Sequence, residues 1–410
     1  MPTPPPNRRF FPPPHGHELR NKGTHTRSVL TADGEIELSR RYFWCKGRGG
    51  VYPVDAALGI EHCSVSPGAT EILCRMGLVQ DFRQAAEDAR RIGGIPIGCE
   101  RLRQIVETQA KAVTEARDRG CVSAGWTAEE ARTASRGPTR IYTGVDGVMV
   151  RTVTQVEKDK RRKNHAIRRR RRGRGGVGNV KPLPAPRPGS DEAFKEMKIG
   201  VFYDQDKEHR HAFVTAENHR SFGPLLREHA RQVGFDRADQ TISLTDGAKW
   251  IASQICLCLL TIKAMLLDFY HLAQHVHEAA QCCLGDTPEA KDWAGQRLRE
   301  IKEQGLAPVL GAIDALAKKV RADAKRASLR RLRQYLVRCQ RLEMLDYPAA
   351  LAQGWDIGSG PTEAMCKTLT LRLKRPGMKW DADHAAPMMN LIALYESGQA
   401  DAYWKSRRAA

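Results

Sequence analysis

The sequence predicts an α/β protein: a mixed β-sheet flanked by helices, with a helical region before it and a long helical stretch late in the chain. Three observations carry this. Short β-branched tracts recur at Ile141–Val153, Lys198–Tyr203, Ala212–Ala216 and Thr241–Thr245, in the pattern of strands. From His271 to Leu345 the residues favour helix throughout. A chain of 410 residues also supplies two or three domains, one with a substantial core.

The elements follow in order. Residues 1–14 hold seven prolines, which excludes helix and sheet ladders, so 1–26 reads as an irregular lead-in. A small β piece over 27–65 rests on Arg27–Thr31 and Glu35–Trp44. A helical region, 66–138, begins at Pro67. Within it Asp81–Arg91 sets Phe82, Ala85, Ala86 and Ala89 on one face. Gly93-Gly94 and Pro96 break the chain, and Cys99–Thr108 turns Leu102, Ile105 and Val106 inward. A second helix exposing Arg101, Arg103 and Gln104 suggests a helix-turn-helix; a plain helical hairpin fits the pattern equally.

Ile141–Val153 opens the sheet region, 139–270. Lys158–Arg174 then carries eleven Lys/Arg and one Asp, half of the net charge of the chain. With the Gly/Pro-rich stretch to Gly189 it reads as a flexible loop, 158–189, with contact to a DNA backbone as a secondary role. Strands at 198–203 and 212–216, a helix over Ser221–Val233, the short strand ending at Asp246-Gly247, and Ala264–Phe269 complete this part. The helical stretch, 271–350, contains the start Thr287-Pro288-Glu289. Its stripe of Leu329, Leu332, Leu336 and Cys339 reads as core. A last helix starts near Pro361, after Gly358-Ser359-Gly360, within a C-terminal part spanning 351–410.

Lys and Arg number 67 against 47 Asp and Glu, a net charge of +20. That excess favours a polyanionic partner, because neutralised phosphates release counterions. Eleven cysteines without any Cys-x-x-Cys pair fit free thiols in a reducing compartment. The proline- and arginine-rich start is no secretory signal. Ser253, Gln254 and Lys263 make Ile251–Leu267 a buried segment rather than a membrane span. The expectation is a cytoplasmic protein without a membrane partner.

Three acids stand where phosphodiester chemistry wants them. Two divalent ions roughly 3.5–4 Å apart activate a water or 3′-hydroxyl and stabilise an in-line transition state, and carboxylates are their natural ligands. Asp146 lies mid-strand in Thr143-Gly-Val-Asp-Gly-Val-Met-Val150, where a charge is costly without partners. Asp246 ends a strand, and Glu363 falls in the first turn of a helix. Each has a plainer reading: Asp246-Gly247 as a turn, Glu363 as a carboxylate favouring the helix dipole.

Thr245-Asp-Gly-Ala-Lys-Trp-Ile251, Leu266-Leu-Asp-Phe-Tyr-His271 and Ile357-Gly-Ser-Gly-Pro-Thr-Glu-Ala-Met-Cys-Lys367, continuing as Arg372-Leu-Lys-Arg-Pro-Gly-Met-Lys-Trp380, resemble DDE transposases of bacterial insertion sequences. The closest resemblance is to the Kra-type group related to Mutator-like transposases, from about residue 20 to the C-terminus. It implies an RNase H-like catalytic domain with an all-helical insertion before the glutamate, agreeing with the 117-residue interval from Asp246 to Glu363. It assigns Asp146, Asp246 and Glu363 as metal ligands, with Mg2+ as cofactor and Mn2+ as substitute. Asp268 and His271 match an Asp-x-x-His element of such relatives. His271 could then orient the scissile phosphate or a water; helix capping is the plainer role for Asp268, and zinc on His271 and His275 a competing one.

Relatives of this kind carry two Cys-x-x-Cys elements near the N-terminus. Here the first pair falls on Pro12 and His15, and the second keeps only Cys45, with Arg48 at the other position. Two ligands cannot close a tetrahedral site, so no zinc is expected. The functional expectation is a transposase that cuts element ends and joins them to target DNA. The alternatives are a non-catalytic DNA-binding descendant and an RNase H-like nuclease without strand transfer. Double-stranded DNA is the expected partner, with a homo-oligomer pairing the ends. Arg101, Arg103, Lys249, Lys367, Arg372, Lys374 and Arg375 are the candidate DNA contacts; a solvated helix face is the alternative for the last four. Trp250 and Trp380 suit base stacking or core packing.

Overall fold

Alternating residues over Arg20–Thr31 and Gly34–Cys45 form the antiparallel strands β1 and β2, joined by a tight turn whose Gly34 takes φ +105°. Gly49–Val51 adds β3 beside β2. These two long strands contain both tracts expected to be β, but β1 starts at Arg20, so residues 20–26, expected in the irregular lead-in, are strand. The computed structural model describes residues 19–45, 49–61, 63–134, 137–171, 173, 185 and 191–409. The proline-rich residues 1–14, Arg48, and most of the Gly/Pro-rich stretch to Gly189 lie outside them.

The helices that follow are α1 (Pro53–Ala57), α2 (Pro67–Val79), α3 (Phe82–Arg91) and α4 (Cys99–Asp118). Asp81 caps α3 by accepting from Arg83 and Gln84 N–H. Ala85, Ala86 and Ala89 are buried, the face the sequence assigned inward. Residues 92–98 separate α3 from α4, and α4 runs ten residues past Thr108. The described residues up to 109 and from 401 to 409 form one compact unit, those from 110 to 400 the other.

The second unit contains α5 (Ala128–Ala134), β4 (Arg140–Arg151), α6 (Gln155–Arg171), β5 (Phe194–Asp204), β6 (Arg210–Thr215), α7 (His219–Val233), β7 (Gln240–Thr245), α8 (Lys249–Cys258) and β8 (Ala264–Leu267). Five helices come next: α9 (Phe269–Leu284), α10 (Pro288–Gln304), α11 (Leu306–Lys319), α12 (Asp323–Arg341) and α13 (Tyr347–Ala352). Then follow α14 (Gly360–Leu371) and α15 (Ala382–Glu396), and the chain ends in α16 (Ala400–Ala409). The sheet is mixed, in the order β6-β5-β4-β7-β8. β4 and β5 pair antiparallel, as do β5 and β6, whereas β4, β7 and β8 run parallel. Helices flank the sheet, and Leu329, Leu332, Leu336 and Cys339 of α12 are buried as the stripe predicts.

The basic run departs from expectation. Its first fourteen residues belong to α6, a helix and not a loop. Thr154 and Glu157 make a reciprocal capping box, each side chain bonding the other's N–H at 3.3 Å. Lys and Arg are good helix formers, and Arg168–Arg171 sit at the C-terminal end, where the macrodipole favours cations. These local preferences outweigh the repulsion between like charges. Among the described residues, no helix is long and apolar enough to cross a membrane.

Candidate active site

β4 and β7 run parallel with Val145 opposite Thr245, so Asp146 and Asp246 each follow a paired residue on adjacent strands. Side chains alternate along a strand, which puts Asp146 on the same face as Gly144, two residues earlier. That face receives the start of α14. Thr362 is buried against Gly144, where a Cβ would stand 1.9 Å from Thr362 Oγ1. Only glycine permits so close an approach, and Glu363 is the next residue along. The sheet and one helix thereby bring the three predicted acids together across more than 200 residues of sequence.

The carboxyl of Asp146 responds to both neighbours. Burial raises the pKa of Asp146 above the ordinary carboxylate value, and the charges of Asp246 and Glu363 push the same way. The Gly147 N–H, at 2.7 Å, and the Cys366 thiol oppose the rise by hydrogen bonding to Asp146. None of these leading influences is a cation. Cys366 lies one turn after Glu363; burial, followed by Asp146, raises its own pKa. Asp146 and Asp246 are half-buried, and Glu363 is exposed. Among the described residues, no three His, Cys, Asp or Glu side chains close around a single point that could hold a metal ion. The acids are neighbours, not a closed cage.

The Asp246–Gly247 turn is held from the helical stretch. Asp246 Oδ1 accepts from Ala248 N–H at 2.8 Å. Tyr335 O–H donates to the Asp246 carbonyl at 3.0 Å, and the Arg338 guanidinium donates to the Gly247 carbonyl at 2.9 Å. Gly247 has φ +76°, and a Cβ there would press on Leu267 at 2.9 Å. Tyr335 and Arg338 flank the apolar stripe of α12; sequence reasoning saw the stripe and missed both. Nor did it find Thr362 or Cys366.

Asp268 is 2% exposed and caps α9, accepting from His271 N–H at 2.6 Å. Its second oxygen accepts from Ser359 N–H at the start of α14. Phe269 N–H bonds the Ile357 carbonyl at 2.8 Å beside it. Asp268 thus ties the start of α9 to that of α14, which carries Glu363. His271 is half-buried, its ring edge-on to His275 with centroids 4.8 Å apart. His275 in turn packs on Tyr335 at 4.6 Å, and burial, then His271, lowers its pKa.

The basic candidates divide. Arg372 is 3% exposed, its guanidinium 5.2 Å from the Trp380 ring centroid and 3.0 Å from Met378 Sδ, so it does not face a surface where DNA could lie. That corrects its assignment as a backbone contact: an arginine can cover an aromatic ring inside a fold as readily as reach outward. Lys367 and Lys374 are exposed and Arg375 half-buried. Lys249 is exposed at the start of α8. In the first unit Arg101 is exposed and, with Gln104, Trp404 and Arg407, lines a cavity of about 320 Å³. Arg103 bonds Glu100 at 2.6 Å and also Glu107, which occupies its guanidinium. Both tryptophans pack inward. Trp380 is 6% exposed, and Trp250 meets Phe222 edge-on at 5.6 Å.

The sequence pattern of the Uncharacterised protein family (UPF0236) matches residues 228–407. That stretch includes Asp246, Asp268, His271 and Glu363, and begins after Asp146. Among solved structures, the Drosophila P element transposase strand transfer complex is similar at a TM-score of 0.30 and 9% sequence identity, over 87% of this chain and 84% of that one. No curated protein matches the chain.

Proposed function

We propose that the chain is a DNA transposase of the DDE type, acting through Asp146, Asp246 and Glu363. The observation that carries the reading is the half-buried Asp146 under the repulsion of two further carboxylates, with no cation among the groups acting most strongly on it. A protein gains no stability from such an arrangement, and a bound divalent cation would relieve it. The donors are all hard oxygens, which fits Mg2+ or Mn2+. Asp146, Asp246 and Glu363 would hold the ions.

The strand order β6-β5-β4-β7-β8, with β5 running opposite to the other four, supports the RNase H-like reading. The helices between β8 and α14 support that of an all-helical insertion. The bound ions would activate the attacking oxygen and offset charge on the phosphate. The protein's part is placement. Tyr335 and Arg338 fix the turn that carries Asp246, Asp268 fixes the approach to α14, and Thr362 against Gly144 sets how near Glu363 comes to Asp146. Holding ligands by a rigid shell is what such chemistry requires, since small displacements cost large factors in rate. Lys367 and Lys374 would draw the DNA backbone toward the acids.

The test is Mg2+-dependent cleavage of duplex DNA carrying the sequences on either side of the gene, by wild type and by Asp246→Asn. Cleaved and joined products from wild type alone are expected. Equal products from both proteins would overturn the assignment of Asp246, and nicked products without joining would make the protein a nuclease.

A further inference from the structure

Building on the DNA-processing reading of the acidic site, we propose that α6 is a phosphate-contact helix that lies along the same duplex. It is 17 residues long with nine Lys/Arg against Glu157 and Asp159, a net charge of +7, and no residue of it is buried. A helix that buries nothing gains little from packing, and its like charges at i+3 and i+4 repel. Its charges are not spread evenly. Both acids lie in the first five residues, where the helix is anchored to the unit: Glu157 pairs with Lys379, and Lys158 with Asp381 at 2.8 Å. From Lys160 to Arg171 every charged residue is basic, and Lys160, Arg161, Lys163, Arg168, Arg170 and Arg171 are exposed.

The dimensions match DNA. Seventeen residues rise about 25 Å, so the net charge amounts to one per about 3.6 Å. Phosphates along one DNA strand recur every 3.4 Å or so. α6 also begins four residues after the end of β4, the strand that carries Asp146, so the cation array directly follows one of the three acids along the chain. A membrane-surface helix would need a broad apolar face. α6 has no aromatic residue, and only Val156, Ala166 and Ile167 are apolar.

The experiment measures full-length protein binding a 30-base-pair random duplex by fluorescence anisotropy across KCl concentrations, in EDTA so that metal plays no part. One variant carries Lys160→Gln, Arg161→Gln, Lys163→Gln and Arg168→Gln. A control removes four charges elsewhere, by Lys318→Gln, Lys319→Gln, Arg330→Gln and Arg331→Gln on α11 and α12. The α6 variant should melt as wild type does. Its plot of log affinity against log salt should be shallower by about 2–4, and at 100 mM KCl it should bind roughly 100- to 1,000-fold more weakly. The control should stay within about threefold of wild type at a slope change near zero, which the exposed but distant-in-sequence charges allow. An α6 variant parallel to wild type, or equal losses in both variants, would overturn the proposal. So would a single-stranded RNA of the same length competing as well as the duplex. Because binding is read without metal, a wild type that binds through α6 here yet cleaves nothing once Mg2+ is supplied would refute the catalytic reading and leave the helix assignment standing.

Discussion

Gly144→Ala tests how the third acid is brought to the other two. The added Cβ would lie 1.9 Å from Thr362 Oγ1, 2.8 Å from its Cβ and 2.9 Å from its Cγ2. Carbon atoms prefer about 3.5–4.0 Å. Rotating the Thr362 side chain moves Oγ1 and Cγ2 but not Cβ, so that contact alone forces α14 and β4 apart by roughly 0.7 Å or more. Overpacking of this kind costs about 1–3 kcal/mol. Glu363, next to Thr362, moves with the helix, and a displacement near 1 Å lowers the rate by about 100-fold. The assay pairs a thermal melt with Mg2+-dependent cleavage. Gly144→Ala should lower both the melting temperature and the rate. Adding Thr362→Gly removes all three crowding atoms and should restore most of the activity, with about 1 kcal/mol or less lost to the helix propensity of glycine. A Gly144→Ala protein indistinguishable from wild type would refute the reasoning, as would a double variant no more active than the single one.

Two further outcomes follow from groups around the site and the sheet. Asp268→Ala leaves the His271 and Ser359 N–H groups without their carboxylate and should destabilise by about 2–5 kcal/mol in urea, whereas His271→Ala should change stability by less than about 1 kcal/mol; equal losses would contradict the capping role. His211 and His229 are fully buried and bonded to each other at 2.9 Å, and burial lowers both pKa values well below the ordinary one. The unfolded chain therefore takes up protons below about pH 6.5 that the folded chain refuses, and stability falls with pH by about 1.4 kcal/mol per unit for each histidine. Asp118 works against this: burial, opposed by Arg117, lifts it to about 6, so the folded chain takes up a proton there as the pH drops. Asp118→Asn should steepen the acid loss measured by denaturation between pH 6.5 and 5. An unchanged slope would remove Asp118 from the account.

Much of the sheet was legible because β-branched residues recur where strands run, and β4 to β7 fall on the tracts so marked. Asp146 and Asp246 could be placed for the same reason, since a strand locates its own residues. Glu363 could not. Its nearness to Asp146 depends on Thr362 meeting Gly144, a contact between distant residues that no local pattern encodes. Tyr335 and Arg338 escaped for a like reason: they flank a stripe whose buried leucines explain α12 without them. α6 was misread although its signs were local, because the density of charge drew more weight than Thr154-x-x-Glu157, which caps it. Arg372 shows the opposite difficulty. Nothing in the run Arg372-Leu-Lys-Arg375 separates the arginine that covers Trp380 from the cations left at the surface.

If Asp146, Asp246 and Glu363 form one divalent-metal site, the full chain binds Mn2+ there, which water-proton relaxation without DNA measures. Wild type should bind Mn2+ with competition from Mg2+. Asp146→Asn, which alters the carboxylate under the influence of the other two, should weaken binding by at least about 10- to 100-fold while leaving the protein folded. Asp246→Asn and Glu363→Gln should each weaken it as well. Equal Mn2+ affinity in wild type and Asp146→Asn would contradict the account.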